Sequence, residues 1–318
     1  MTSKPKIITV LGPTAIGKSD LAVSISLFLK EKYNINSEII SADSRQVYKY
    51  LDIGTGKITH EEMKGVKHHM LDIINPEETY SVYQYTEDAN KIIEELLSKN
   101  IIPIICGGTG QYIDGVLFDV KGAGAKQNPE LRDELEKESL ENLQKQLNDL
   151  SEKYKADIYK VDIDNKRRVI RAIEIITELK HIPEKIYTDK YNNLIIGLNT
   201  DYEFLKNKIK TRIDKRLDQG MIKEVEDLLK DNKINHERLQ KLGLEYKFID
   251  DYLTGLLTFE EFKEKLHLAS CHYAKRQKTW FKNNKNLNSD TNHIEWFDVQ
   301  DKSFEDKILD EIGKFISL

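Results

Sequence analysis

The 318-residue sequence predicts an α/β fold, a parallel sheet flanked by helices with a small helical domain inserted into it, on three observations. Short apolar runs alternate with stretches of helical periodicity, the pattern of strands joined by crossover helices. A glycine-rich octapeptide, residues 12 to 19, stands between the first apolar run and the first helical stretch. Residues 120 to 160 then change character, becoming long, charged and regularly spaced in leucine.

The elements follow in order. Ile7 to Leu11 reads as a buried strand and residues 17 to 32 as the helix after it; Glu38 to Ser41 is a second strand, ending in the polar cluster Ala42-Asp43-Ser44-Arg45-Gln46. His69 to Ile74 is a third apolar segment, followed by a helix from about Ser81 to Ser98 with Ser81 as its cap. Ile101 to Cys106 is a fully buried strand stopped by Gly107-Gly108-Thr109-Gly110. Gly122 and Gly124 are expected to loosen the chain, and Leu131, Leu135, Leu143, Leu147 and Leu150 then suggest helices with little core of their own. A helix at about 165 to 179, a strand at Leu194 to Leu198, mostly helices to residue 282, a last strand from Ile294 to Val299 and a terminal amphipathic helix complete the chain. The expected domains are a first part of the core at 1–119, an inserted helical domain at 120–162, and a second part of the core at 163–318.

Composition bounds the function. With 39% hydrophobic and 32% charged residues the chain is that of a globular protein, and no apolar run approaches the roughly 20 residues of a membrane span. No signal peptide precedes the first strand, so a cytoplasmic location without membrane contact is expected. Cys106 and Cys271 are the only cysteines, too few for a disulfide framework and wrongly spaced for zinc, and read as reduced packing residues. A formal net charge of −5 argues against indiscriminate binding to nucleic acid, which needs excess cations to displace counterions. Two local stretches remain basic: residues 160 to 172, with Lys160, Lys166, Arg167, Arg168 and Arg171, and residues 263 to 285, where seven Lys or Arg face Glu264 alone. Each reads as a solvated helix face or as a patch for nucleic acid; Tyr273, Trp280 and Phe281 in the second stretch serve either stacking on bases or the core.

In parallel sheets ligands bind beyond the carboxyl ends of the strands, where the loops after the first, second and fourth apolar runs converge. The octapeptide Gly12, Pro13, Thr14, Ala15, Ile16, Gly17, Lys18, Ser19 has the strand, loop and helix setting of a phosphate cradle, a P-loop. Gly12 and Gly17 let successive N–H groups curl onto phosphate oxygens, Lys18 adds a point charge, and the Ser19 hydroxyl is placed for Mg2+. Nucleotide hydrolases hold their magnesium with an acid at the end of a buried strand, but Ile101 to Cys106 ends in glycine. Asp43 instead ends the second strand, as a general base or as a turn-capping aspartate, and its place at the ligand edge favours the first. Asp52, in a glycine-bounded turn, is open between the same two roles.

The strings GPTAIGKS (12–19), SADSRQVY (41–48), LDIGTGK (51–57), HHMLDI (68–73) and GGTGQYI (107–113), followed by RRVIRAIE (167–174), RIDKR (212–216) with Gly220 and YAKRQKTWF (273–281), resemble in this order the bacterial tRNA dimethylallyltransferases, also called tRNA isopentenyltransferases. The resemblance implies transfer of a dimethylallyl group from dimethylallyl diphosphate to the exocyclic amine of the adenosine just 3′ of the tRNA anticodon. It implies that residues 12–19 hold the diphosphate with Mg2+ and that Asp43 is the base, with Thr109 and Arg216 as diphosphate contacts. The anticodon stem-loop would meet Asp43, Ser44, Arg45, Gln46, Thr109, Arg167, Arg168, Val169, Ile170 and Arg171, with residues 120 to 160 as a stem clamp and no obligatory protein partner. Two segments depart from the family pattern. Arg216 to Gly220 is shorter than the common spacing, which leaves the choice between Arg212 and Arg216 open, and Lys241 to Tyr246 differs from the usual glycine-tyrosine-lysine form. Gln111 stands where many relatives carry an apolar residue. The competing readings are a kinase-like phosphotransferase binding ATP, an isopentenyltransferase acting on free adenine nucleotide, and a nonenzymatic RNA-binding protein.

Overall fold

The first strand, β1 (Lys6–Leu11), buries Ile7, Ile8, Val10 and Leu11 completely, so both of its faces are covered, as a central parallel strand requires. A computed structural model describes residues 4–121 and 128–317. After β1 come α1 (Lys18–Tyr33), β2 (Ser37–Ala42), the single turn α2 (His60–Met63), β3 (His68–His69), α3 (Val82–Ser98), β4 (Ile102–Gly107) and α4 (Gly110–Leu117). The chain continues through β5 (Phe118–Lys121), α5 (Pro129–Leu135), α6 (Leu140–Tyr154), α7 (Lys166–Leu179) and β6 (Ile186–Asp189). It ends with β7 (Asn192–Asn199), α8 (Tyr202–Asp218), α9 (Met221–Lys230), α10 (His236–Leu242), α11 (Leu244–Leu253), α12 (Phe259–Asn283), β8 (Ile294–Asp298) and α13 (Phe304–Ser317).

Among the described residues six strands form one sheet in the order β3-β2-β4-β1-β7-β8, and each pairing is parallel. The register is what matters for function. Leu11 and Ala42 both pair with Gly107, so the loops after β1, β2 and β4 leave the sheet side by side. From α3, the buried Tyr85 donates its hydroxyl to the Ser41 carbonyl at 2.9 Å and stacks on Tyr112 of α4 with ring centroids 3.7 Å apart. Ser81 caps α3 as the sequence predicts, in a reciprocal box with Gln84. The apolar segment His69 to Ile74 supplies only a two-residue strand, because Met70 and Asp72 turn to left-handed φ values of 63° and 55°; Ile74 retains one isolated bridge to Tyr48.

The chain divides into two compact units, Met1–Leu117 with Asp189–Leu318, and Phe118–Thr188. The second is wider than the expected 120–162 and takes α7 with it. The reason lies on one face of α7: Val169, Ile170, Ile173 and Ile176 pack with Leu143 and Leu147 of α6 and Leu135 of α5 in a core that belongs to this unit. The expectation that these helices have little core of their own is therefore corrected. Their leucines look sparse only because α7 contributes the other half. Gly122 and Gly124, expected to loosen the chain, lie outside the described residues.

Leu147 is fully buried in that core. Leu147→Ala is expected to cost about 2–5 kcal/mol, through lost burial and the cavity left behind. Denaturant unfolding followed by circular dichroism checks it; a loss below about 0.5 kcal/mol, the scale of a surface substitution, would contradict this packing.

Candidate active site

Gly12 and Gly17 take φ values of 151° and 104°, and Ala15 between them sits at 65°, a strained conformation for a residue with a Cβ. The loop is fixed from several directions. Lys18 Nζ donates to the Pro13 carbonyl at 2.8 Å, and Gln277 of α12 accepts from the Thr14 amide at 2.8 Å. The same Gln277 donates to the Gly108 carbonyl at 3.0 Å, bridging the loop after β1 to the loop after β4. Burial pushes the Lys18 ammonium down to about 8, against the opposing charges of Cys106 and Asp43, with Arg212 acting in the same direction as burial.

Asp43 lies half-buried at the end of β2, and its Oδ1 accepts the Arg45 amide at 2.8 Å. Thr109, from the loop after β4, accepts the Ser44 amide on its hydroxyl at 3.1 Å and donates its own amide to the Ala42 carbonyl at 3.1 Å. These bonds tie the second and third loops together. Asp43, Ser44 and Arg45 line a cavity with Thr14, Arg212, Arg216, Glu245, Ser270 and Tyr273. Tyr273 is raised to about 12 by burial first and by Asp43 second.

The two arginines of α8 stand one turn apart and do different things. Arg212 donates from Nη2 to the Thr14 hydroxyl at 2.7 Å, and its buried Nε has no partner among the described residues. Burial, and then Arg216 beside it, push Arg212 down to about 9. Arg216 continues the inward stripe Leu205, Ile209 and Ile213, and donates from Nη1 to the Gly54 carbonyl at 2.9 Å and to Glu245 at 3.3 Å. Of the two, Arg212 is the one on the phosphate loop. Asp52 leaves the list of candidate bases: its carboxylate receives Lys57 Nζ at 2.6 Å, a tie within its own turn.

Other expected residues have local explanations or remain free for binding. Ser19 is exposed at the start of α1. Gln46 receives the Ser41 hydroxyl and donates to the Gly56 carbonyl, so it braces the Asp43 loop. In the second unit Arg167 and Arg168 are exposed on α7, the latter paired with Asp162 at 3.0 Å. Val169 and Ile170 are buried in that unit's core and Arg171 joins Arg132 on the buried Glu174, so the helical period turns part of the expected RNA surface inward. Phe281 is core, whereas Trp280 is 39% exposed and lines a groove of about 770 Å³ with Lys275 and Arg276. Cys106 and Cys271 are free and buried. No helix of the described residues is long and apolar enough to cross a membrane.

Sequence reasoning missed the Arg212–Thr14 contact, the Gln277 bridge and Glu245. Signals were present without the partners: Thr14 and Arg212 lie in the GPTAIGKS and RIDKR strings, Gln277 in YAKRQKTWF, and Glu245 in the departing 241–246 segment.

A sequence model of the family described as IPP transferase matches residues 46–284. A tRNA dimethylallyltransferase of Parabacteroides distasonis is 41% identical over 281 residues, covering 87% of this chain and 88% of that protein. A full-length tRNA isopentenylpyrophosphate transferase of Bacillus halodurans superposes with a TM-score of 0.70 at 33% identity, over 99% of this chain and 97% of that one. A eukaryotic dimethylallyltransferase acting on tRNA superposes with a TM-score of 0.77 at 26% identity, over 98% of this chain and 80% of that one.

A cavity edged by a phosphate loop and a desolvated arginine should bind inorganic diphosphate, and the binding should depend on Lys18. A bound anion favours the charged ammonium, so the affinity of the wild-type chain relative to a Lys18→Met chain is constant below the free-protein value of about 8 and falls as pH rises through it, the ionisation of diphosphate itself cancelling in the ratio. Titration calorimetry of both chains from pH 6.5 to 9.5 checks this. A flat ratio, or one that rises, would remove Lys18 from the anion site.

Proposed function

We propose that this chain, which belongs to the IPP transferase family of tRNA dimethylallyltransferases, transfers a dimethylallyl group from dimethylallyl diphosphate to the N6 amine of the adenosine 3′-adjacent to the anticodon, position 37 of tRNA. The observation that carries this reading is one cavity in which the carboxylate of Asp43 shares walls with Thr14 of the phosphate loop and with Arg212. An allylic diphosphate on residues 12 to 18 presents its C1 carbon away from the loop. The adenosine amine attacks C1, the C1–O bond breaks, and diphosphate departs with the bonding electrons. The amine proton passes to Asp43.

Each role follows from what a side chain already does. Lys18 and the loop amides receive charge that grows on the leaving oxygens, and Arg212, desolvated and bonded to Thr14, is the arginine best supported as the diphosphate contact. Arg216 lines the same cavity and uses Nη1 on Gly54 and Glu245, which leaves its other donors for an anion. Thr109 anchors the Asp43 loop through Ser44 and so orients the base. Mg2+ would be held by the Ser19 hydroxyl at the start of α1 together with phosphate oxygens of the substrate and water, the usual setting of magnesium on a phosphate ligand. When bound, it neutralises charge on the diphosphate.

The target base must leave its stack, at an unstacking cost of a few kcal/mol that backbone contacts offset. Lys275, Arg276 and the half-exposed Trp280 on α12 supply cations and a stacking face; in the second unit, exposed Arg167 and Arg168 suit an anticodon-stem clamp. Reduced, buried Cys106 and Cys271 accord with a cytoplasmic enzyme.

Incubation with labelled dimethylallyl diphosphate and an unmodified anticodon stem-loop should place label on the adenosine amine, with AMP a poor acceptor. Label on AMP in preference to RNA, or none on either, would refute the assignment. Asp43→Ala should lower single-turnover transfer by roughly two to four orders of magnitude with RNA affinity little changed; unaltered turnover would take Asp43 out of the chemistry. Neutralising Arg167 and Arg168 should weaken RNA binding and reduce its salt slope by about 1 to 2. An unchanged slope would return both to a solvated helix face.

A further inference from the structure

The two segments that depart from the family pattern meet in the fold. Arg216, at the shortened spacing, pairs with Glu245, in the altered 241–246 segment, at 3.3 Å, with side chains only 8% and 14% exposed. The same guanidinium packs against the 54–56 turn: Nη1 donates to the Gly54 carbonyl at 2.9 Å, and a Cβ on Gly56, whose φ is 61°, would fall 1.7 Å from Nη2 and displace the arginine. A buried arginine held this way needs the carbonyl kept where it is.

Glu224 of α9 keeps it there. Its carboxylate accepts the backbone amides of Asp52, Ile53 and Gly54 at 2.9, 2.6 and 3.2 Å, and the hydroxyl of the buried Tyr246 at 3.1 Å. Successive amides converging on one carboxylate clamp a turn as firmly as an anion in a backbone nest, here with the anion supplied by the protein. Gly54 and Thr55 of that turn line the same cavity as Asp43 and Arg212.

We propose that Glu224 is a positioning residue for the transfer reaction: it fixes the Asp52–Gly54 backbone, that backbone and Glu245 fix Arg216, and Arg216 so held lines the cavity beside Arg212. This rests on reading the cavity as the diphosphate site. Glu224 touches no substrate and acts through the turn.

The test is steady-state kinetics with dimethylallyl diphosphate and an anticodon stem-loop on the full chain. Glu224→Gln keeps the shape but removes the charge and replaces one of the two acceptor oxygens with an NH2 donor, which the amides and the Tyr246 hydroxyl on that side cannot use as an acceptor. It should raise KM for dimethylallyl diphosphate and Ki for inorganic diphosphate in parallel, by about tenfold, with kcat within about threefold, the signature of lost uniform binding. KM for the stem-loop should stay within about twofold. If Glu224 acts through Arg216, Arg216→Gln added to Glu224→Gln should raise KM little further, a non-additivity that mere loss of stability does not produce. Additive effects, or a lower melting temperature with KM unchanged, would overturn the proposal. Should Glu224→Gln fail to fold, Glu245→Gln, which frees Arg216 from its other side, carries the test by the same rise in KM or its absence. Failure of the wild-type chain to transfer label to RNA would instead strike the reading of the site itself.

Discussion

The parallel pairing of β1, β2 and β4 in one register is the constraint on which the site depends. Leu11, Ala42 and Gly107 lie level across the three strands, so a phosphate loop, an aspartate and a threonine far apart in sequence emerge as neighbours. A one-residue slip in any strand would turn its buried side chains to the opposite face and move its loop away from the others. Gln277 then bolts the first and third loops together from α12, and Thr109 bolts the third to the second. Strand register and two polar bridges thus convert three separate turns into one concave surface.

The electrostatics follow from burial. Lys18 and Arg212 are held in a desolvated space with Asp43 near both, and Arg216 is matched by Glu245. Concentrated positive charge taken out of water is unfavourable until an anion arrives. In the proposed reaction a diphosphate would relieve that cost, and more so as its charge grows during bond breaking, which is the condition for selective stabilisation of the transition state. Asp43 lines the same cavity as Thr14 and Arg212, so the pocket carries both signs of charge, as the proposed pairing of a leaving group with an amine requires.

Much of this was legible in the sequence where the signal is local. The strand, glycine loop and helix of residues 6 to 33, the capping of α3 by Ser81 and the buried run of β4 each express their structure within a few residues, and all occur as read. What depended on distant partners was not legible. Arg212 and Arg216 lie one turn apart on the same helix, and only the contacts with Thr14 and Gly54 distinguish them. Val169 and Ile170 looked like part of a basic surface until the leucines of α6 gave their face a core to fill. Glu224 had no motif at all, because a carboxylate that serves backbone amides leaves no trace in the residues it serves.

The central claim is that one pocket brings a loop-bound diphosphate to face an amine oriented by Asp43. A crystal structure of the chain with diphosphate and an unmodified anticodon stem-loop tests it most directly. The expected result is diphosphate on residues 12 to 18 with Arg212 against it, and a flipped adenosine whose N6 lies within hydrogen-bond reach of Asp43. Diphosphate bound elsewhere, or an adenosine amine remote from Asp43, would contradict the account.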